Sequence, residues 1–316
     1  MKTAFDVDTG VDDSLALLYA LNKPRFEIVG IATVTGNVEA DLAAENTLKI
    51  LDLAGAPEIP VTVGALRPLG GRWEGRVSVI HGDNGLGNVT LPASSRKTTG
   101  KGVEEHYLEL GERCQGELVL IALGPLTNIA LTLKKYPRFA SMVKRMILMG
   151  GTLFTRGNVS PVAEANIATD PEAADLVFQS GMDITAVGLD VTTKVRFKKS
   201  HMDWLDTHCK ASCRAEVDYL KEAFKHYRYG NQVQNYCIDV SPLHDPLAVM
   251  CAAVPSLVHT QMRKARVECG GTYCRGMIVT DLREHPFQAE YIRFATAVDE
   301  ERALGELLSA FLEEGR

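Results

Sequence analysis

No stretch of this 316-residue sequence reaches the ~18 uninterrupted apolar residues that a membrane-spanning helix requires, so no membrane partner is expected. The first residues, MKTAFDVDTG, show no basic segment followed by an apolar one, so no secretory leader is expected and the expected location is cytoplasmic. There is no C-x-x-C pair, and the seven cysteines are odd in number, which argues against both a disulfide framework and a zinc ribbon. Cys209 and Cys213 sit one helical turn apart, and Cys269 and Cys274 flank a Gly-Gly-Thr-Tyr turn across which they could approach each other. Idle thiols in a reducing compartment remain the simpler reading. Basic residues are in deficit: 34 Lys and Arg stand against 40 Asp and Glu, for a net charge of −6, which argues against a nucleic-acid partner. Repeats, low-complexity tracts and shifts in composition are also missing, so one domain covering residues 1–316 is expected.

What the sequence does contain is alternation. Apolar runs at Thr3–Val7, Phe26–Val34, Pro60–Val63, Leu118–Leu123, Arg145–Met149 and Asp183–Gly188 read as strands. Helical spacing separates several of them, at Asp12–Leu21, Glu39–Ala54 and Pro171–Gln179. Continuously apolar strands alternating with helices indicate an α/β fold with a mostly parallel, Rossmann-like central sheet flanked by helices. A hairpin of Ala265–Cys269 with Gly276–Thr280 and a helix near Asp299–Glu313 close the chain. Two segments break the rhythm. Residues 68–99, rich in Gly and Arg, read as a long loop carrying His81, and residues 226–242, polar and aromatic, read as a second irregular segment before His244.

Carboxylates are concentrated in DVDTGVDD, at Asp6, Asp8, Asp12 and Asp13. Ligands of parallel sheets bind at the carboxyl ends of strands, and this cluster follows the first one. Helix capping accounts for one or two such acids. Four within eight residues repel one another unless a cation sits among them. Oxygen-only ligands favour a hard cation, Ca²⁺ or Mg²⁺, over zinc.

With DVDTGVDD, seven further motifs follow in order: TVTGN (33–37), HGDNGLG (81–87), LGPLTNIAL (123–131), LMGG (148–151), GNVSPVAEANIATDPEAA (157–174), GLDVT (188–192) and HDPLAV (244–249). Together they resemble the inosine–uridine nucleoside hydrolase family over roughly residues 1–250. The resemblance implies an N-ribohydrolase that splits ribonucleosides into base and ribose with a Ca²⁺-bound water, in a homodimer or homotetramer. It implies Asp8 as general base and metal ligand, with Asp13, Asp245 and the Leu123 carbonyl completing the protein's ligands. Asp12, Asn37, Asn158, Glu164 and Asn166 match the residues that hold the ribose hydroxyls. His244 matches a histidine proposed to assist the leaving base, and His81 one on a mobile loop above it. Ala165 stands where the family often carries an aromatic residue, which would open space beside the sugar.

Tyr227, Tyr229, Gln232, Gln234 and Tyr236 are available to contact the base, and their pattern does not choose between purine and pyrimidine. Two other readings compete. In a dehalogenase-like phosphatase, Asp6 would be the nucleophile and Asp8 the acid, but Asn37, the Asn158–Asn166 group and His244-Asp245 would have no role. A non-catalytic calcium-dependent nucleoside or sugar binder would need the same pocket without the complete set Asp8, Asp13, His244 and Asp245.

Overall fold

The computed structural model describes residues 1–313. Its strands are β1 (Lys2–Val7), β2 (Glu27–Thr33), β3 (Val61–Val63), β4 (Leu118–Ala122), β5 (Val143–Met149), β6 (Ile184–Val187), β7 (Arg196–Lys198), β8 (Val240–Pro242), β9 (Val258–Val267), β10 (Ile278–Thr280) and β11 (Tyr291–Val298). Nine of them form one sheet in the order β10-β9-β11-β6-β5-β4-β1-β2-β3, and β7 pairs with β8 in a separate ribbon. From β3 through to β11 the pairings are all parallel, while β9 runs antiparallel to both β11 and β10. The expected α/β architecture with a mostly parallel sheet is therefore present, and the C-terminal hairpin pairs Ile278 with Val267 as the turn composition suggested.

Alternation along the strands explains the two cores, because successive side chains leave a strand on opposite faces. Phe5, Val7, Ile31, Val119, Ile121 and Ile147 pack on one face with the helices Val11–Leu21, Arg214–Asn235 and Asp245–Ala253. Ala4, Ala32, Leu118, Leu120, Met146 and Leu148 pack on the other with the helices Val103–Cys114, Thr127–Lys135 and Pro171–Phe178. Both faces are covered, so the buried stretches of the parallel strands are mostly apolar, with Asp6 of β1 an exception. The order of strands reverses between β1 and β4, which both neighbour each other and lead outward in opposite directions. That reversal leaves a crevice beyond their carboxyl ends, where Asp8 follows β1 and Leu123 follows β4.

The segment 226–242 corrects the expectation of an irregular stretch. Helix Arg214–Asn235 runs for 22 residues and carries its last three turns through it, ending at Tyr236 in a left-handed conformation with φ 54°. Its buried stripe, Val217, Leu220, Phe224, Tyr227 and Asn231, has helical spacing but turns polar where the helix faces a cavity, which hides the periodicity. Gly230 sits mid-helix because a Cβ there would lie 2.1 Å from the Val79 carbonyl oxygen of the crossing segment. Residues 68–99 are largely irregular as expected, but His81 ends a short helix, Ser78–His81. All seven cysteines are free, Cys269 and Cys274 included. Among the described residues no helix is long and apolar enough to cross a membrane.

His106 shows how tightly the second core is closed. The ring is buried in helix Val103–Cys114 with Nε2 unpartnered, and a Cβ on Gly30 of β2 would come within 2.9 Å of it. Burial lowers its pKa from 6.5 to about 4, so the folded protein keeps it neutral where the unfolded chain would take up a proton. Its contribution to stability is therefore complete above pH 6.5 and is lost as the pH falls toward 4. In urea melts at pH 7.5 and pH 5, His106→Leu should flatten the acid-side loss of stability by about 2 kcal/mol relative to the parent; equal pH dependence in both proteins would refute this.

Candidate active site

Beyond the ends of β1 and β4 lies a cavity of about 150 Å³, lined among others by Asp12, Asn37, His81, Leu123, Asn158, Glu164, Asn166, Tyr227, His244 and Asp245. A larger cavity of about 330 Å³, beside Phe197, Met202 and Phe224, contains none of these residues. Chemistry points to the smaller one. Asp12 and Asp245 line it, and Asp13, with Asp8 hydrogen-bonded to it, lies against them. Asp8 leaves β1, Gly10 turns the chain, and Asp12 and Asp13 occupy the first turn of helix Val11–Leu21. Asp245 occupies the same place in helix Asp245–Ala253.

Backbone and amide donors fix these carboxylates. Asp13 accepts from the Gly10 N–H at 2.8 Å, from the Asp8 N–H at 3.3 Å and from the Asn37 side-chain amide at 3.3 Å. One oxygen of Asp8 accepts from the Asn37 N–H at 2.7 Å. Its neighbourhood requires glycine, since a Cβ on Gly36 would stand 2.0 Å from that carboxylate oxygen. Asp12 accepts from the Tyr227 hydroxyl at 2.9 Å, which ties the long helix to the acid cluster. The donors do not suffice: Asp8 Oδ1 and Asp12 Oδ1 are buried without a partner.

Electrostatics follow from this shortfall. Burial, then repulsion from Asp13, pushes the Asp8 carboxyl well above the usual range. Burial followed by Asp12, Asp13 and Asp8 does the same to Asp245, while burial and Asp12 raise Asp13 to about 6. Asp12, Asp13 and Asp245 bring carboxylate oxygens within 4.8 Å of one another. A group of buried acids with idle oxygens is what a hard cation would satisfy, so the donor set fits one. This trio differs from the expected ligand set in one member: it contains Asp12, assigned by resemblance to the ribose, and Asp8 stands beside it against Asp13. The Leu123 carbonyl lines the same cavity and accepts from the Asn166 amide at 2.6 Å, which leaves its second lone pair available.

The remaining predicted residues come together around the acids. Asn166 also donates to the Met149 carbonyl at 3.1 Å. Glu164 caps the short helix Ala165–Thr169, accepting from the N–H groups of Asn166 at 2.9 Å, Ile167 at 3.2 Å and Gly151 at 2.9 Å. Capping and cavity lining coexist in this one carboxylate. Asn158 accepts from the Ala165 N–H at 3.0 Å, holding the 157–166 segment in shape. His81 accepts from the Val11 N–H through Nδ1 at 3.2 Å, and burial lowers its pKa to about 4. Its 3.7 Å approach to Asp12 is therefore made by a neutral ring, not as an ion pair. Burial likewise lowers the pKa of His244.

Asp6 departs from the cluster. It is wholly buried, accepts from the Tyr107 hydroxyl and from Asn128 at 3.0 Å, and burial raises it to about 7. Its carboxylate is held by Tyr107 and Asn128, away from Asp8, Asp12 and Asp13, so the phosphatase reading loses its nucleophile. Of the five candidate base contacts, Tyr227 and Gln234 line the cavity, whereas Tyr229 and Tyr236 are exposed. Asn231 and Asn235 line it too, at i and i+4 on the same helix face as Tyr227, a repeat that a helical reading of this segment would have revealed. Asp190 was also unassigned in the sequence; it accepts from the N–H groups of Leu153, Phe154 and Thr155 at 2.7, 2.8 and 3.0 Å and anchors the loop beside the cavity.

The sequence model of the inosine–uridine preferring nucleoside hydrolases matches residues 3–305. The chain belongs to this family. Uridine nucleosidase 1 of Arabidopsis thaliana is 41% identical over 281 residues, covering 89% of this chain and 82% of that protein. Among solved structures, a plant nucleoside hydrolase superposes with a TM-score of 0.92 at 33% identity, covering 98% of both chains. A purine-preferring ribonucleoside hydrolase from Gardnerella vaginalis gives 0.90 at 35% identity, again covering 98% of both chains. This nucleoside hydrolase is thus an enzyme acting on N-glycosyl bonds.

Raised carboxyl pKa values make cation binding compete with protons. Each acid that is protonated in the free protein must release its proton when a divalent ion arrives, so affinity should fall as the pH is lowered through about 6, the value for Asp13. Calorimetric titration with Ca²⁺ in two buffers of different ionisation enthalpy should show proton release near pH 6 and tighter binding at pH 8; pH-independent affinity would contradict the assignment.

Proposed function

We propose that this enzyme hydrolyses ribonucleosides with Asp8 as general base and Ca²⁺ as its resident ion, and that uridine is a substrate. The observation that carries the reading is the pair of buried, unpartnered oxygens on Asp8 and Asp12 at the end of the β1 crevice. Asp13, Asp245, Asp8 and the Leu123 carbonyl would hold the ion, all through oxygen, which suits calcium. Once bound, the ion supplies Lewis acidity and an anchoring point for water and ribose hydroxyls.

The protein's own groups do the rest. Asp8 has one oxygen committed to the Asn37 N–H and the other idle, so it can accept a proton from the attacking water. Asp12, Asn37, Asn158, Glu164 and Asn166 line the cavity with both donors and acceptors, as vicinal hydroxyls require. Loss of the base leaves an oxocarbenium-like sugar. Negative charge from the surrounding carboxylates stabilises that cation more than the neutral nucleoside, which is the condition for catalysis. His244 assists the departing base, and His81, neutral and packed at 5.6 Å against Tyr227, helps to shape its pocket.

Uridine is favoured by the named activity of the Arabidopsis relative. The purine-preferring neighbour of similar identity makes inosine the necessary comparison. Release of ribose from uridine and inosine should be abolished by EDTA and restored by Ca²⁺, with uridine the faster. Asp8→Ala should lose on the order of 100-fold or more in kcat. Chelator-insensitive turnover would remove the ion from the reaction, and near-parental activity of the Ala variant would remove Asp8 from its role.

A further inference from the structure

GLDVT, the motif after β6, contains a buried hydroxyl that neither the fold nor the proposed chemistry has used. Thr192 ends the short helix Leu189–Thr192 and is fully enclosed. Its Oγ1 lies 2.8 Å from Nδ1 of His244, and among the described residues it has no other side-chain hydrogen-bond partner. The hydrogen positions follow from counting. If His244 donated through Nδ1, the hydroxyl's own hydrogen would be left in the core with no acceptor. If the hydroxyl donates to Nδ1 instead, both groups are satisfied, and the ring's one remaining hydrogen must sit on Nε2. Nε2 has no partner among the described residues, and His244 lines the cavity.

We propose that Thr192 is a positioning residue that fixes His244 in the Nε2–H tautomer, so that the ring serves the departing base as a neutral hydrogen-bond donor. The proposal rests on the hydrolase reading above. In the reaction, the C1′–N bond breaks and its electron pair passes to the base, which leaves as an anion stabilised by the Nε2–H. The attacking water's oxygen bonds to C1′ and its proton goes to Asp8. The base takes its own proton from solvent afterwards, Asp8 returns the water's proton to solvent, and His244 ends as it began. A neutral ring that stabilises developing charge without surrendering its proton is a known solution to this problem. It also fits the surroundings, since Thr192 offers Nδ1 a donor and no carboxylate is hydrogen-bonded to that nitrogen.

The test has two arms. Long-range ¹H–¹⁵N correlation spectra of the intact protein, with the His244 ring assigned by its absence in His244→Asn, should show hydrogen on Nε2 and none on Nδ1. The opposite tautomer would overturn the proposal whether or not the enzyme is active. In kinetics, Thr192→Val should lower kcat for uridine on the order of tenfold with KM little changed, and Thr192→Ser should restore it. 4-Nitrophenyl β-D-ribofuranoside, whose phenolate leaves without help, should be cleaved by the Val variant within about twofold of the parent rate. In a His244→Ala background the Val change should add nothing. Equal slowing of both substrates would make Thr192 a packing residue and overturn the proposal. A parent enzyme with the Nε2–H ring that fails to cleave uridine would overturn the uridine reading and leave the tautomer assignment standing.

Discussion

Everything around the crevice depends on holding four acidic side chains together in a buried place. Asp8, Asp12, Asp13 and Asp245 are all buried, and each raises the free energy of ionising its neighbours. Such an arrangement is unfavourable in isolation. The protein offsets part of it with backbone N–H groups at Gly10, Asp8 and Asn37, the Asn37 amide and the Tyr227 hydroxyl. It leaves part of it standing in two idle oxygens. The proposed function rests on that residue of unsatisfied charge: it would attract a cation in the resting enzyme and favour a sugar that becomes cationic during the reaction.

The sheet explains why so many ligands of different sequence origin can meet there. Because the strand order reverses between β1 and β4, the turns after these two strands diverge and leave a gap that neither fills. Asp8 and Asp13 enter from the β1 side and Leu123 from the β4 side. The next strand in the order, β5, delivers Gly150 and Gly151, and Asp190 after β6 ties down residues 153–155 that lead into the 157–166 loop. Close approach is built in with glycine: alanine at Gly36 would overlap the Asp8 carboxylate, and alanine at Gly124 would come within 3.1 Å of it. The crevice is rigid by construction, as a site that must hold charge in a fixed geometry should be.

Much of this was legible in the chain. Strands buried on both faces leave unmistakable apolar runs, and the predicted limits of β1, β2 and β5 fall within two residues of those observed. The acid cluster was legible because so many carboxylates in so few residues have no bland explanation. Two things were not. Asp6 shares the motif and lies on the strand, yet it serves the opposite core through Tyr107 and Asn128, partners more than 100 positions away that no local pattern can supply. The last turns of helix Arg214–Asn235 were hidden for the reverse reason: a helix facing a polar cavity buries Asn231 where a helix facing a core would bury leucine, so its periodicity is written in the wrong alphabet.

On the proposed reading, that same helix joins the acid cluster to the part of the pocket that would choose the base. Tyr227 hydrogen-bonds Asp12 and packs against His81, and one turn on, Asn231, Gln234 and Asn235 line the cavity. Gly230 lets the helix press against the segment that carries His81, and His226 bonds the Ser78 carbonyl at 2.9 Å to hold the pair together. The sugar end is therefore built on strands and the first turns of helices, whereas the base end is one helix face crossed by a short helix. A change of base preference needs only new side chains on that face. A change of the reaction would require moving the strand ends themselves. On that reading, one fold could carry a uridine nucleosidase and a purine-preferring hydrolase, since a difference in base preference need fall only on the half of the pocket that the charge balance does not constrain.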